Sequence, residues 1–209
     1  MTLLVKECLK NSNISSLLGI LQLTDEHAYN HSINVAELVE EYINLSKEEN
    51  SLAWTEEECV EIIKGALLHD IGKTFLPFGL QSSSIKLDDL EMDILKMHPL
   101  LGRVAIKNSH FSEIIENIIY YHHANADGSG YPRVKGKMLT IENVPDYVWV
   151  IVYADRFEAM TSYRPFQTPK SYPEAWEQIL DMTRNNILPY QYLRIFGEIV
   201  KKRSIFQIT

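Results

Sequence analysis

Apolar residues recur along this chain with the three- to four-residue spacing of amphipathic helices, and few segments alternate with the period of two that is typical of strands. The clearest helical pattern covers residues 31–46, HSINVAELVEEYINLS, in which the apolar positions fall on one broad face. Residues 144–162, VPDYVWVIVYADRFEAMTS, are apolar enough to predict a central and mostly buried helix. The pattern therefore predicts an all-α protein.

Sequence signals for helix ends agree with this prediction. Thr55 with Glu58 forms a capping-box pattern, in which each side chain can satisfy a backbone N–H group of the other residue, and Ser171 with Glu174 forms a second one. Pro99 lies inside the otherwise helical stretch 88–108 and predicts a kink or a break there. With no internal repeat, the chain is predicted to form one domain of about seven to nine helices.

The composition fits this architecture and argues against several classes of protein. With 209 residues, 45% of them apolar, the chain can bury a core without disulfide bonds. Cys8 and Cys59 have no CxxC spacing, which indicates a reduced protein and a cytoplasmic location. The net charge of −8 argues against a nucleic-acid polymer as partner, and no apolar run is long enough to span a membrane. The oligomeric state is left open.

Histidine and aspartate residues carry the candidate chemistry. Those that fall at predicted helix ends, in apolar segments or before the glycine-rich stretch HHANADGSGYP are His31, His69, Asp70, His98, His122, His123 and Asp155. Any one of them alone would more often be structural than catalytic. A carboxylate inside an apolar helix, however, needs a cation, a hydrogen-bond donor or exposure to water. Imidazole and carboxylate groups together suit Fe, Mn, Zn or Ni, and the lack of nearby cysteine argues against a thiolate zinc site.

The same residues, taken in order, resemble a known family. His31, HDIGK, HPLLG, HHxxxDGSGYP and ADRFEAMTSYRP match the HD-GYP subgroup of the HD-domain metal-dependent phosphohydrolases over about residues 25–185. The resemblance implies a single HD-domain helical bundle with a Gly-rich GYP loop. We accordingly expect an N-terminal helical extension over residues 1–24 and the HD-GYP domain over residues 25–209.

The resemblance also implies a role for each residue. Two divalent metal ions, Fe or Mn, are expected, with Asp70 bridging them, and the implied ligands are His31, His69, Asp70, His98, His122, His123 and Asp155. Asp70 and Lys73 are the implied catalytic residues, and Lys73 also meets a phosphate oxygen of the substrate. The remaining implied substrate-binding residues are Gly130, Tyr131, Pro132 and Arg164.

The activity implied by the resemblance is hydrolysis of cyclic di-GMP to pGpG, to GMP, or to both, by a hydroxide that bridges the two metals; related members cleave cyclic GMP-AMP. Metal pairs of this kind lower the pKa of a bound water and orient a phosphoryl group for in-line attack. The GYP loop is expected to position substrate and to offer a contact for a protein partner. Tyr131 could stack on a guanine or donate its hydroxyl, and the alternative is a tight turn with a packed tyrosine.

Three positions depart from the family pattern. Ala124 stands where the family usually has a glutamate, which would orient a ligand histidine or a metal-bound water. Gln167 replaces a basic residue, a loss for which Lys170 could partly compensate. His27 stands where some members have an acid that binds a third metal, and it is either an additional ligand or a surface residue.

These departures keep other functions open beside an active cyclic-dinucleotide phosphodiesterase. One is a catalytically weak HD-GYP module that binds a cyclic dinucleotide or a protein partner without turnover. Another is a phosphohydrolase that acts on a different nucleotide or a linear phosphoester, although such HD proteins lack the HPxxG and GYP features of this chain.

Overall fold

The predicted helices are present in the computed structural model, which describes residues 1–77, 80, 87–133, 139–164 and 168–206. Within these residues the regular elements are helices joined by loops, and Asp127 and Thr140 form an isolated antiparallel β-bridge. The α-helices are α1 Leu3–Cys8, α2 Ser12–Thr24, α3 Glu26–Glu48, α4 Glu56–Leu68, α5 Asp89–Leu95, α6 His98–Ile106, α7 Glu113–Tyr121, α8 Asp146–Thr161, α9 Tyr172–Arg184 and α10 Leu193–Phe206. Two 3₁₀ helices cover Ile71–Phe75 and Tyr190–Tyr192. The all-α prediction is confirmed.

The helix ends follow the sequence signals closely. At the start of α4, the Glu58 amide donates to Thr55 Oγ1 at 3.2 Å and the Thr55 amide donates to the Glu58 carboxylate at 2.8 Å. A second capping box, Ser171 with Glu174, begins α9. Pro99 falls in the first turn of α6, because a proline there has no intrahelical hydrogen bond to lose. The predicted kink is therefore a helix break, and it places His98 at the N-terminal end of α6.

The centre of the domain is formed by α3, α4 and α8. Helix α8 packs against α3 and α9, and α4 packs against α3 and α7. Trp149 and Tyr153 of α8 are among the largest fully buried side chains. Burial of this helix on nearly all sides explains why its sequence shows so little amphipathic character.

The N-terminal helices share the same core. Val5, Ile14, Leu18 and Leu21 are buried together with residues of the later helices. The buried carboxylate of Glu40 in α3 accepts hydrogen bonds from the amides of Leu4 and Val5, at 3.0 and 2.9 Å. These are amide groups in the first turn of α1, which a helix cannot satisfy internally. The predicted boundary at residue 24 stays a prediction.

A backbone contact between two glycines brings distant parts of the chain together. A Cβ atom added to Gly72 would lie 1.9 Å from the carbonyl oxygen of His98 and 2.5 Å from the amide nitrogen of Gly102. The 3₁₀ helix Ile71–Phe75 therefore packs against α6 with no side chain between them. Because this 3₁₀ helix directly follows His69 and Asp70, the contact sets how close His98 comes to those two residues.

None of the described helices combines the length and apolar composition needed to cross a lipid bilayer.

We predict that Gly72→Ala lowers the free energy of unfolding by about 3 kcal/mol, because its methyl group would overlap backbone atoms that cannot rotate away. Gly19→Ala is the matched control, since an added Cβ in α2 meets nothing within 4 Å. The control should raise the free energy of unfolding by about 0.5–1 kcal/mol through helix propensity. Urea unfolding followed by circular dichroism measures both changes, and equal stability of the two variants would contradict the close-contact interpretation.

Candidate metal centre

The side chains singled out in the sequence converge at one place in the domain. His31 comes from α3, His69 and Asp70 follow α4, and Asp155 comes from α8. His98 begins α6, and His122 and His123 follow α7. All are buried except His123, whose side chain is 22% exposed. Residues separated by more than a hundred positions in the chain are thus collected into a single polar cluster inside an apolar core.

The cluster divides into two groups. Within each group, the atoms that could bind a metal lie within 4.8 Å of one another. The first ligand group is His31, His69 and Asp155. The second ligand group is Asp70, His98, His122 and His123. Histidine nitrogens and carboxylate oxygens at this spacing are able to hold a metal ion.

Asp70 lies between the two groups. Its Oδ2 atom is 3.5 Å from His69 Nε2 and 3.8 Å from His31 Nε2, on the side of the first group. Its Oδ1 atom is 3.3 Å from His98 Nε2 and 3.8 Å from His122 Nε2, on the side of the second group. One carboxylate therefore faces both groups with different oxygen atoms.

Asp70 Oδ1 is also a buried oxygen that accepts no hydrogen bond from the described residues. Leaving a buried carboxylate oxygen without a donor is costly unless a cation lies beside it. The residues present therefore fit a divalent metal at this place.

Three of the histidines are oriented by carbonyl groups in the last turn of the helix that precedes each of them. The Nδ1 atoms of His69, His98 and His122 contact the carbonyl oxygens of Ala66, Leu95 and Ile119, at 2.8, 2.8 and 2.9 Å. Each carbonyl lies three residues earlier in the chain. A carbonyl oxygen can only accept, so Nδ1 carries the proton and Nε2 is left with a lone pair directed into the cluster.

Two of these unprotonated Nε2 atoms lie close to each other. His98 Nε2 lies 3.0 Å from His122 Nε2. When both Nδ1 atoms are protonated, two lone pairs meet across this gap, and a cation between them makes the contact favourable. This geometry is a second, independent sign that the cluster fits a metal.

His31 is oriented differently, by a carboxylate that sequence reasoning missed. Its Nδ1 atom contacts the buried Glu158 Oε2, and its Nε2 atom lies 2.9 Å from Asp155 Oδ1. Asn34 donates to the other Glu158 oxygen at 2.9 Å. A carboxylate behind a histidine fixes the ring and raises its basicity as a ligand. The signal in the sequence was a second acid, one helical turn after Asp155, in the same apolar segment.

The charges of the cluster follow from burial and from these contacts. Burial lowers the pKa of His31, but the hydrogen bonds to Asp155 and Glu158 outweigh it and raise that pKa to about 9. Burial alone would raise the pKa of Asp70, but Lys73 and the neighbouring histidines hold it well below its usual range. Burial also lowers the pKa of His98, to about 4. Asp70 is thus ionised and His98 neutral, the states that metal ligands require, whereas His31 would release a proton on binding a metal.

The glycine-rich loop packs directly behind the second ligand group. A Cβ atom added to Gly130 would lie 2.4 Å from the carbonyl oxygen of His123, and the Tyr131 amide donates to that same oxygen at 3.2 Å. The Tyr131 ring lies against the His123 ring, with centroids 4.5 Å apart and planes inclined by 30°. The Tyr131 ring therefore forms a wall of the cluster beside His123, and its contact with substrate stays a prediction.

Ala124, where the family pattern has an acid, is fully buried and belongs to the hydrophobic core. Its methyl group is therefore a packing element, and the carboxylate that contacts a histidine of the first ligand group is Glu158.

The other predicted residues are placed as follows. Lys73 Nζ lies 2.6 Å from Asp70 Oδ2, with 19% of its side chain exposed. Arg164 is half-buried, three residues after the end of α8, and no contact with either ligand group is seen in the described part of the chain. Pro132 follows Tyr131 and is half-buried. His27 is exposed and lies outside both groups. Gln167 lies outside the described residues.

Comparison with known protein families agrees with this geometry. The family model described as "HD domain" matches residues 16–188. This chain therefore belongs to the HD-domain family.

Curated relatives are named as phosphodiesterases of cyclic dinucleotides, the activity that the resemblance in the sequence implies. The cyclic di-GMP phosphodiesterase response regulator RpfG of Xanthomonas campestris is 36% identical over 146 residues, which are 68% of this chain and 33% of the relative. A cyclic di-GMP phosphodiesterase of Thermotoga maritima is 36% identical over 122 residues, 57% of this chain and 32% of the relative. The 3'3'-cGAMP-specific phosphodiesterase 1 of Vibrio cholerae is 27% identical over 159 residues, which are 76% of this chain and 34% of the relative. The chain spans about a third of the length of these relatives.

Solved structures share the fold. The HD domain of the L. monocytogenes phosphodiesterase PgpH gives a TM-score of 0.64 at 19% identity, covering 91% of this chain and 98% of that domain. The HDG"Y"P protein Bd1817 of Bdellovibrio bacteriovorus also gives a TM-score of 0.64. Its identity to this chain is 20%, and the match covers 83% of this chain and 52% of the Bd1817 chain. Together with the curated relatives, these likenesses confirm the resemblance found in the sequence.

We predict that Glu158→Gln weakens metal binding by about 10-fold, because the amide keeps the shape of the side chain but loses the charge that orients His31. Glu174→Gln, which removes a charge from the exposed capping box of α9, is the control and should bind metal as the parent does. Titration with Mn²⁺, followed by the electron paramagnetic resonance signal of the free ion, measures both affinities. Equal affinities in the two variants would show that Glu158 has no role in metal binding.

Proposed function

We propose that this chain is a metal-dependent phosphodiesterase that hydrolyses cyclic di-GMP, or a related cyclic dinucleotide, to pGpG, to GMP or to both. The observation that carries the proposal is the position of Asp70, a buried carboxylate whose two oxygens face two separate sets of histidine nitrogens. Paired metal sites a few ångströms apart are typical of enzymes that cleave phosphodiesters by in-line displacement. The curated relatives, named cyclic di-GMP and 3'3'-cGAMP phosphodiesterases, support the choice of substrate.

The proposed cofactors are two divalent ions, Fe or Mn. The first would be held by His31, His69, Asp70 and Asp155, and the second by Asp70, His98, His122 and His123. A donor set of imidazole and carboxylate without thiolate suits these metals. When bound, the pair supplies an activated water and polarises the phosphoryl oxygens. His27, the possible ligand of a third ion, is exposed and lies outside both ligand groups.

The residues of the chain have distinct parts in this proposal. Asp70 would be a ligand of both metals, one through each carboxylate oxygen. Lys73, a partly exposed cation beside Asp70, stabilises negative charge that develops on the phosphoryl group. Gly130 and Tyr131 pack against His123, and together with Pro132 they are proposed to limit how the substrate approaches. Arg164 is proposed to bind a phosphate of the substrate, a role that rests on the sequence resemblance.

The second candidate function is a module that binds a cyclic dinucleotide but turns it over slowly. Ala124 is the observation that favours it, since the acid of the family pattern is replaced by a methyl group fully buried in the core. This candidate predicts binding of cyclic di-GMP without product, a result that the turnover experiment below distinguishes.

Three further points belong to the proposal. A cytoplasmic location is supported by the free, buried thiols of Cys8 and Cys59, which are typical of a reducing compartment. A protein partner that contacts the GYP loop is proposed from the resemblance. The division into an extension over residues 1–24 and a domain over residues 25–209 is also proposed, and the shared core shows that the two pack together.

We predict that protein purified without oxygen and loaded with Mn²⁺ or Fe²⁺ converts cyclic di-GMP to pGpG or GMP, and that Asp70→Asn loses both activity and bound metal. The amide keeps the volume of the side chain but cannot bridge two cations. Asp181→Asn, in an exposed ion pair of α9, is the matched control and should keep both properties. Liquid chromatography identifies the products, and elemental analysis counts the metals.

The substrate panel should include 3'3'-cGAMP, cyclic di-AMP and a linear phosphodiester beside cyclic di-GMP. Binding of a cyclic dinucleotide without turnover by the metal-loaded protein would contradict the phosphodiesterase proposal and support the binding module. Turnover of the linear phosphodiester alone would instead assign a different substrate class.

We predict that Lys73→Met lowers kcat by about 100-fold, because one donor to the developing negative charge is removed. Lys64→Met is the control, since Lys64 forms a similarly exposed lysine–carboxylate pair within α4, and it should leave kcat unchanged. Steady-state kinetics on cyclic di-GMP gives kcat and KM for both variants. A Lys73→Met protein with wild-type kcat at full metal occupancy would remove Lys73 from the reaction.

A further inference from the structure

Arg156 lies next to Asp155 on α8, but its side chain contacts a different part of the site. Its Nη2 atom donates to the carbonyl oxygen of Ala124 at 3.1 Å and also to Asn125 Oδ1. Its Nη1 atom lies 3.9 Å from the sulfur of Met182 in α9. The guanidinium group thus binds the chain directly after the histidine pair His122–His123.

The segment that Arg156 binds is the start of a hydrogen-bonded turn. Asn125 Nδ2 donates to Ser129 Oγ at 2.7 Å, and the Gly128 amide donates to the Asn125 carbonyl at 2.9 Å. The Ser129 amide in turn donates to Asp127 Oδ1 at 2.9 Å. Fixing Asn125 therefore fixes the whole turn that leads to Gly130.

The end of this turn returns to the second ligand group. Gly130 crosses the backbone of His123 and Ala124 with no room for a side chain, and the Tyr131 ring packs on His123. His123 is therefore held on one side by the end of α7 and on the other by a loop whose anchor is Arg156.

We propose that Arg156 is a positioning residue that sets the distance between the two ligand groups and holds the Tyr131 wall against His123. Asp155, a member of the first group, directly precedes Arg156 on the same rigid helix. The backbone that Arg156 binds directly follows two members of the second group. A displacement of one group relative to the other must therefore break charge-assisted hydrogen bonds, which are stronger than neutral ones.

The choice of arginine has a physical reason. Its planar fork presents several N–H donors in fixed directions, so one side chain can bind a backbone carbonyl and a side-chain amide together. A lysine at this position would present a single ammonium group and would hold the loop less rigidly.

This inference deepens the proposed function and depends on it for its catalytic meaning, but its test does not require turnover. Full-length protein is titrated with Mn²⁺, and the bound ions are counted from the electron paramagnetic resonance signal of the free ion. We expect Arg156→Met to bind one Mn²⁺ with wild-type affinity and the other at least about 10-fold more weakly. For the weaker of the two ions, the affinity of Arg156→Lys should lie between that of the wild type and that of Arg156→Met.

Arg203→Met is the matched control, because Arg203 forms a partly buried ion pair with Glu41 that joins α10 to α3, away from the ligand groups. It removes an arginine of similar burial and should leave both affinities unchanged. The inference is overturned when Arg156→Met binds both ions with wild-type affinity. It is also overturned when Arg203→Met lowers the affinity for the more weakly bound Mn²⁺ as much as Arg156→Met does.

Asn125→Ala provides a second variant in case Arg156→Met does not fold, since it removes one acceptor of Arg156 from a partly exposed loop. It should lower the affinity for the same Mn²⁺ ion by about threefold or more, and an unchanged affinity would contradict the inference. A wild type that binds two Mn²⁺ but cleaves no cyclic dinucleotide would overturn the proposed function, while the affinities of the variants would still decide the role of Arg156.

Discussion

The structure depends on a single electrostatic constraint, the burial of the Asp70 carboxylate at the centre of the domain. Burial disfavours its charge, yet Lys73 and the surrounding histidines keep it ionised. The two oxygens face opposite groups of imidazole nitrogens, and one of them accepts no hydrogen bond from the described residues. Lys73 stabilises this charge, and bound metal ions would stabilise it further, so the demands of folding and of metal binding fall on the same residue.

The helical architecture satisfies this constraint through the ends of its helices. Histidines that follow α4 and α7, or begin α6, each use Nδ1 to contact a carbonyl oxygen three residues earlier. The helix end thereby fixes the tautomer and directs Nε2 inward, without a dedicated side chain for each ring. His31 lies in the interior of α3, where the carbonyl groups are already bonded, and it uses Glu158 instead. Position in the helix thus decides how each ligand is oriented.

Ala124 is the residue whose expected role differs most from the role that it has in the structure. From the sequence it marks a missing acid beside two ligand histidines. In the fold it is a buried packing residue whose carbonyl oxygen, rather than its side chain, takes part in the site by accepting from Arg156. The orienting carboxylate is on α8, and the loop is held from α8 as well. Helix α8 therefore supports both ligand groups, the first through Asp155 and Glu158 and the second through Arg156.

The sequence by itself determined the all-α fold, the helix caps and the identity of the residues in the cluster, because periodicity, capping and motif order are local properties of the chain. Tertiary structure alone decided that the residues divide into two groups around Asp70, that Glu158 stands behind His31 and that Arg156 holds the loop after His123. These contacts join positions that are far apart in the chain; Glu158 and His31, for example, are 127 residues apart. No local spacing encodes them, since they arise only when α3, α4 and α8 pack into one core.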